Sequence, residues 1–431
     1  MGDALRRAIG SEGLTAAVAA FCACTGTVAP DAGPKPDVCD AAQGGSASVQ
    51  SLAAGDTAFA VAFFPPVVAA AGGHDANVIV SPYSLSAAMT MADVGAAGET
   101  ESQIASVLRL PASAAAEAPA YAALECGEES DGTSNGNTLF IANSVWAQSG
   151  ASFEPTFEST LATGYDAPLQ QVDFAGNPAS AAAQVNSWVS DKTEGMIPSL
   201  LGEGDVDAKT RLVLADAIYF KGVWANGFDP SKTQPAPFTL QDGSLASVPT
   251  MSGTVNAPSR WQADLTVVEL PYRGGALVMD FMMPTTTGSG GLAAFESALT
   301  PSSLTATLAG IGTAGQLVLY VPRFSFTSHI ELGSVLAGMG ITDAFDPMLA
   351  NFSGMDGAMD LSIHTVVQQA FVEVDEQGTV AAAATAVSSC SNCDAVIEPN
   401  TIHLDRPFVF LIRDTRSGGI LFMGHVTNPA G

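Results

Sequence analysis

From about residue 55 to the end, apolar positions recur at two periods, helical in some stretches and alternating in others. No low-complexity break or internal repeat interrupts them, which predicts one continuous domain over residues 55–431. Between Ser84 and Leu110, Leu85, Met89 and Ile104 recur at helical spacing, and Gly95 and Gly98 interrupt the run as a turn between two helices. Residues 179–201 repeat the helical pattern through Val185, Trp188, Val189 and Ile197. Strands are predicted at Leu212 to Phe220, Thr266 to Leu270, Leu277 to Met283, Leu317 to Phe326, Val366 to Val374 and Pro407 to Ile412, apolar or alternating runs bounded by Gly, Pro or charge. Helices and strands come in runs, not in strict alternation, so the predicted class is α+β.

Ahead of the domain the pattern changes. Arg6 and Arg7 precede a modest apolar run, Leu14 to Ala23, too short to span a bilayer and similar to a secretory signal. Phe21-Cys22-Ala23-Cys24 resembles a degenerate bacterial lipobox, whose cysteine would become the lipidated first residue of the mature chain. Residues 1–24 are therefore expected to be a secretory or lipoprotein signal. Residues 25–54, rich in Gly, Pro, Asp, Ala and Ser, are expected to be a flexible linker. No later stretch reads as a membrane span, so the expected location is extracellular or at the cell surface, with membrane contact only through an N-terminal lipid anchor.

A chain of 431 residues that is 47% hydrophobic can bury one large core or two ordinary ones. Asp and Glu number 43 against 15 Lys and Arg, for a net charge of -28, and such a surface repels phosphate backbones, heparin-like polyanions and anionic lipid. Six cysteines occur, at 22, 24, 39, 126, 390 and 393. One Cys-x-x-Cys with neither a second pair nor a His cluster does not make a zinc site. Gly310, Gly312 and Gly315 match a dinucleotide-binding spacing, but a helix-like segment precedes them and a strand follows, the reverse of what the mechanism needs. His74, His329, His364, His403 and His425 are scattered, and neither a nucleophile elbow nor a phosphate loop is present. Neither catalysis, nor a cofactor, nor a metal is expected.

The informative stretch runs from Glu376 to Asn392. It follows the alternating strand Val366 to Val374, and Gly378 supplies a backbone hinge. After it, one period-two face carries Thr379, Ala381, Ala383, Thr385, Val387 and Ser389, and the other carries Val380, Ala382, Ala384, Ala386 and Ser388. Neither face has a charge. Such a segment can lie exposed as a loop or pair as a strand, although an alanine-rich linker or short helix has the same composition.

Glu376-x-Gly378-Thr379-x-Ala381-Ala382-Ala383-Ala384-Thr385 resembles the hinge of inhibitory serpins. Asn77 to Leu85, Gly95 to Thr100, Leu214 to Trp224, Glu269 to Tyr272, Val321 to Phe324, Pro407 to Phe410, Phe422 to Gly424 and Asn428-Pro429 resemble further motifs of that family, in its order, over essentially residues 55–430. The resemblance implies three β-sheets with surrounding helices and an exposed reactive-centre loop at about 376–400, on a monomer that is metastable until the loop is cut. It implies a suicide substrate, which traps a serine or cysteine endopeptidase as an acyl-enzyme while the cut loop becomes an extra strand. The rival expectation is a non-inhibitory serpin, a binding or structural protein.

By the same resemblance the scissile carbonyl lies sixteen positions beyond Glu376, at Asn392-Cys393, with Ser391 or Cys393 left open because the loop is about four residues longer than usual before Pro407. Small polar residues there argue against a trypsin-like target. Trp224 falls in the breach. Ser81 and Ser84 match the two serines of the shutter, where the central sheet opens; Asp216 stands where the family usually has Asn, and Gln368 where it usually has His. A substitute hydrogen-bond network between Asp216 and Gln368 is one expectation, independent drift the other. Cys390 and Cys393 bracket the expected scissile bond, as a redox pair or as two free thiols.

Overall fold

The structure, a computed structural model, describes residues 47–288, 290–378 and 400–431, apart from the side chains of 126–134. Among the described residues fifteen strands form three sheets. The central sheet has the order β11 (Phe324–Glu331), β12 (Ile363–Val374), β4 (Leu212–Lys221), β2 (Thr138–Gln148), β3 (Gln170–Val172). A six-stranded sheet runs β1 (Val78–Val80), β15 (Ile420–Val426), β14 (Phe408–Asp414), β9 (Leu277–Pro284), β8 (Leu265–Pro271), β7 (Ser259–Trp261). A four-stranded sheet runs β13 (Asn400–His403), β10 (Gly315–Pro322), β6 (Leu245–Ala257), β5 (Gln234–Thr239). The helices are α1 (Ala47–Ala70), α2 (Pro82–Asp93), α3 (Glu99–Leu108), α4 (Ala114–Asn135), α5 (Pro155–Gly164), α6 (Pro178–Lys192), α7 (Gly291–Ala298), α8 (Pro301–Ala309), α9 (Gly333–Met339) and α10 (Ser353–Asp356).

Helix α2 positions the site. Ser81 begins it by accepting a hydrogen bond from the Ser84 amide, and Pro82 occupies the first turn, where a missing N–H is no loss. Every residue of α2 is buried, which marks a helix threaded through a core. It packs against β15 on one side and against β2 and β4 on the other. The opposite face of the central sheet is covered by α6, whose Val185 and Val189 join Val213, Ala215, Ala217 and Val367 in a separate apolar cluster.

Several sequence expectations shift. Residues 47–54, expected in the linker, are the opening turns of α1, because Val49, Leu52 and Ala53 are buried in the core. At 24 residues α1 is long and apolar enough to cross a membrane, although no span was expected after the signal; here it is a core helix, with Phe59, Phe63 and Phe64 fully buried. The helical stretch 179–201 stops at Lys192, where Thr193 turns its hydroxyl back to the Val189 carbonyl and Glu194 and Gly195 adopt positive φ. The single strand expected over Leu317 to Phe326 is two, β10 and β11, in different sheets. Gly310 ends α8 ahead of β10, a turn as its reversed setting indicated.

Candidate functional site

The central sheet has a seam. β4 and β12 lie side by side in parallel, paired from Ile363↔Leu212 to Phe371↔Tyr219, while β12 pairs antiparallel with β11 and β4 antiparallel with β2. Parallel neighbours need a long connection, which the 141 residues between them supply only by passing through the other two sheets.

Polar groups interrupt the seam at its middle. Asp216 and Gln368 are register partners across it, and Ser81 and Ser84 reach them from the start of α2; all four are buried. Gln368 Nε2 donates to Ser81 O at 2.9 Å and to Asp216 Oδ2 at 2.5 Å, and Gln368 Oε1 accepts from the Ser81 amide at 2.9 Å. Ser81 Oγ donates to Leu421 O at 2.6 Å, tying α2 to β15. Ser84 Oγ stands 2.6 Å from Asp216 Oδ1 and 2.8 Å from Asn143 Oδ1. Burial pushes the Asp216 carboxyl up to about 7, against the opposing pull of its hydrogen bonds with Ser84 and Gln368. Asn143 on β2 belongs to this cluster although no sequence motif points to it. Its only signal is an amide within the run Thr138 to Gln148, whose irregular burial gives no clean alternation.

At the top of the seam β12 turns back on itself. Asp375 and Gly378 exchange both backbone hydrogen bonds, at 2.9 and 3.3 Å, closing a two-residue turn over Glu376 and Gln377. Trp224 clamps this turn: its amide donates to Gln377 O and its Nε1 to Asp375 O, each at 3.0 Å, and its ring stacks on Tyr272 at 4.5 Å. Phe228 N donates to Glu376 O at 2.7 Å, and Glu376 Oε1 accepts from Thr233 Oγ1 at 2.5 Å with Arg323 Nη1 3.7 Å away. Gly378 has φ +120°, and a Cβ there would meet Gly222 O at 2.3 Å and Trp224 N at 2.6 Å. Only glycine fits.

The structure thus brings Ser81, Ser84, Asp216 and Gln368 together at mid-seam, and Trp224, Glu376 and Gly378 together at its end. Thr379, Ala381, Ala382, Ala383, Ala384 and Thr385, the bond Asn392-Cys393, and Cys390 lie outside the described residues, as do the signal expected at 1–24 and Cys39. Among the described residues no group of three or more His, Cys, Asp or Glu side chains is placed to hold a metal.

A family model described as serpin (serine protease inhibitor) matches residues 54–429. A serpin-like protein of Methanosarcina acetivorans is 33% identical over 366 residues, covering 83% of this chain and 82% of that protein. Leukocyte elastase inhibitor A of Mus musculus is 33% identical over 390 residues, covering 88% of this chain and 100% of its own length. Among solved structures, the Arabidopsis protein AtSerpin1 in its native stressed conformation is similar with a TM-score of 0.78 and 28% identity, covering 89% of this chain and 99% of that one.

Proposed function

This chain belongs to the serpin family, and from that premise we propose that it is a protease inhibitor consumed by its target. A serine or cysteine endopeptidase attacks the Asn392 carbonyl, Cys393 leaves as the amine, and the acyl-enzyme is carried off when the freed strand enters the seam. The observation that carries this is the parallel β4–β12 contact running directly into a reversing turn. A strand continuing from Gly378 runs antiparallel to β12. Because β4 is parallel to β12, the same strand runs antiparallel to β4 as well. One parallel contact is then replaced by two antiparallel ones, with net hydrogen bonds worth roughly 0.5–1.5 kcal/mol each.

The turn also supplies a register. A strand continued in register from the Asp375↔Gly378 pair would set Thr379 opposite Val374, Thr385 opposite Gln368 and Cys390 opposite Ile363, where β12 begins. A cut at Asn392 would then free just enough strand to line the whole of β12. Val366, Ala370, Val372 and Val374 face the main core, so their partners Val387, Ala383, Ala381 and Thr379 would face it too. Small side chains are needed there because the core is already filled.

The test mixes purified protein with elastase-, subtilisin- and papain-like proteases and looks for an SDS-stable complex. The expected result is such a complex with the cut mapped near Asn392, and its loss in Thr385→Arg, whose loop is still cut but cannot enter the core. Clean cleavage throughout the panel, with no complex, would favour the non-inhibitory reading. Repeating the panel in reducing and oxidising buffer tests Cys390 and Cys393: identical inhibition in both excludes a redox switch.

A further inference from the structure

Hydrogens can be counted in the mid-seam cluster. Asn143 Nδ2 donates to Ser84 O at 3.1 Å, which fixes the amide and leaves Oδ1 facing Ser84 Oγ at 2.8 Å. Gln368 is fixed likewise by the Ser81 main chain, leaving its second amide hydrogen for Asp216 Oδ2. Ser81 Oγ is directed at Leu421 O. Ser84 is left with one hydroxyl hydrogen for two acceptors, Asn143 Oδ1 at 2.8 Å and Asp216 Oδ1 at 2.6 Å. If Asp216 is ionised, one of those short contacts joins two acceptors with no hydrogen between them. A proton on Asp216 Oδ1 removes the conflict: Asp216 donates to Ser84, Ser84 donates to Asn143, and Oδ2 still accepts from Gln368.

We propose that Asp216 holds a proton while the central sheet is closed and releases it when β4 and β12 part, making the seam a pH-sensitive latch, shut in acid and loosened at neutral and alkaline pH. The groups facing Asp216 are Ser84 from α2, Asn143 from β2 and Gln368 from β12, with Ser81 and the Leu421 carbonyl of β15 behind them. None of these side chains titrates and none brings a positive charge. Burial is the cause that raises the carboxyl to about 7. The closed state binds the proton more tightly than the open one, so the stabilisation is complete below about pH 4 and is lost as pH rises to about 7.

Asp56, bonded to Ser86 and near Tyr121, and Asp93 on α2 are also raised to about 7 by burial, so global stability alone does not identify the latch. Asp216→Asn does. Its amide can donate to Ser84 and accept from Gln368, reproducing the protonated acid without titrating. The experiment follows hydrogen exchange of β4 and β12 amides in the full, uncut chain between about pH 5.5 and 8, with β6 and β10 amides as internal reference. Wild-type seam protection relative to the reference should fall about tenfold as pH rises, roughly one pKa unit of coupling, and Asp216→Asn should be flat. A flat wild-type ratio overturns the latch, and so does an equal slope in Asp216→Asn. Should the variant not fold, the wild-type ratio still decides, because a flat ratio overturns the latch, and Asp56→Asn and Asp93→Asn, which should each leave the fall in place, separate the other two buried carboxyls: loss of the fall in either overturns the assignment to Asp216. Seam opening is read here without any protease, so the latch and protease trapping fail separately.

Discussion

Asp216 in the central sheet and Asp280 in the six-stranded sheet are equally buried, at 0% exposure, yet they are held in opposite ways. Asp280 on β9 faces Arg413 on β14, whose Nε donates to Oδ2 at 2.9 Å and whose Nη2 reaches Glu269 Oε2 on β8 at 2.7 Å. Burial pushes Asp280 up to about 6, with the guanidinium pulling it back down. Asp216 has only neutral partners. An ion pair that is pulled apart strands a charge in the interior, whereas a neutral network can trade one partner for another. The charge pair spans three antiparallel strands, and the neutral network crosses the parallel β4–β12 seam. The contrast sets strands held by a buried charge pair against strands joined through a neutral network.

The largest blow to that contrast comes from Arg413→Met, which removes the cation from two acids at once. A loss of about 3–5 kcal/mol is expected, measured by urea unfolding near neutral pH; a loss below about 1 kcal/mol would show that the six-stranded sheet does not depend on its ion pair. Gly378→Val follows, because its Cβ would collide with Gly222 O and Trp224 N at positive φ. Strain of about 1–3 kcal/mol is expected, read as faster hydrogen exchange at 375–378 with the six-stranded sheet unchanged; spread of the effect to β9 and β14 would blur the two regions. Smallest is Arg323→Ala. Arg323 is 46% exposed and 3.7 Å from Glu376, so less than about 1 kcal/mol should be lost, with Thr233 still holding the carboxylate. A larger loss in thermal unfolding would make Arg323 a true clamp of the hinge.

The two regions were unequally legible in the sequence. Strands with strong patterns, β4, β9, β12 and β14, stand close to where periodicity put them, and the seam residues Ser81, Ser84, Asp216 and Gln368 were singled out by their place in family motifs. Asn143 was missed because its strand was not recognised, and without the strand there was no register to bring it to Ser84. The pairing of Arg413 with Asp280 and Glu269 is not legible for a related reason: it spans 133 and 144 residues of chain, and no local pattern carries it. The break between β10 and β11 shows in the sequence only as a slip of phase within one long apolar run. Apolar positions pass from odd (Leu317, Leu319, Val321) to even (Phe324, Phe326) at Pro322-Arg323, and there the Arg323 amide turns to Pro249 O as the chain changes sheet.

The most direct test is the thermal midpoint of the protein before and after a single cut in the loop beyond Gly378, with the site of cutting mapped. Entry of a new strand between β4 and β12 predicts a rise of at least roughly 10 °C, together with slower hydrogen exchange in those two strands. A midpoint that stays the same or falls, with the loop fully cut, would mean that the seam does not take up the strand.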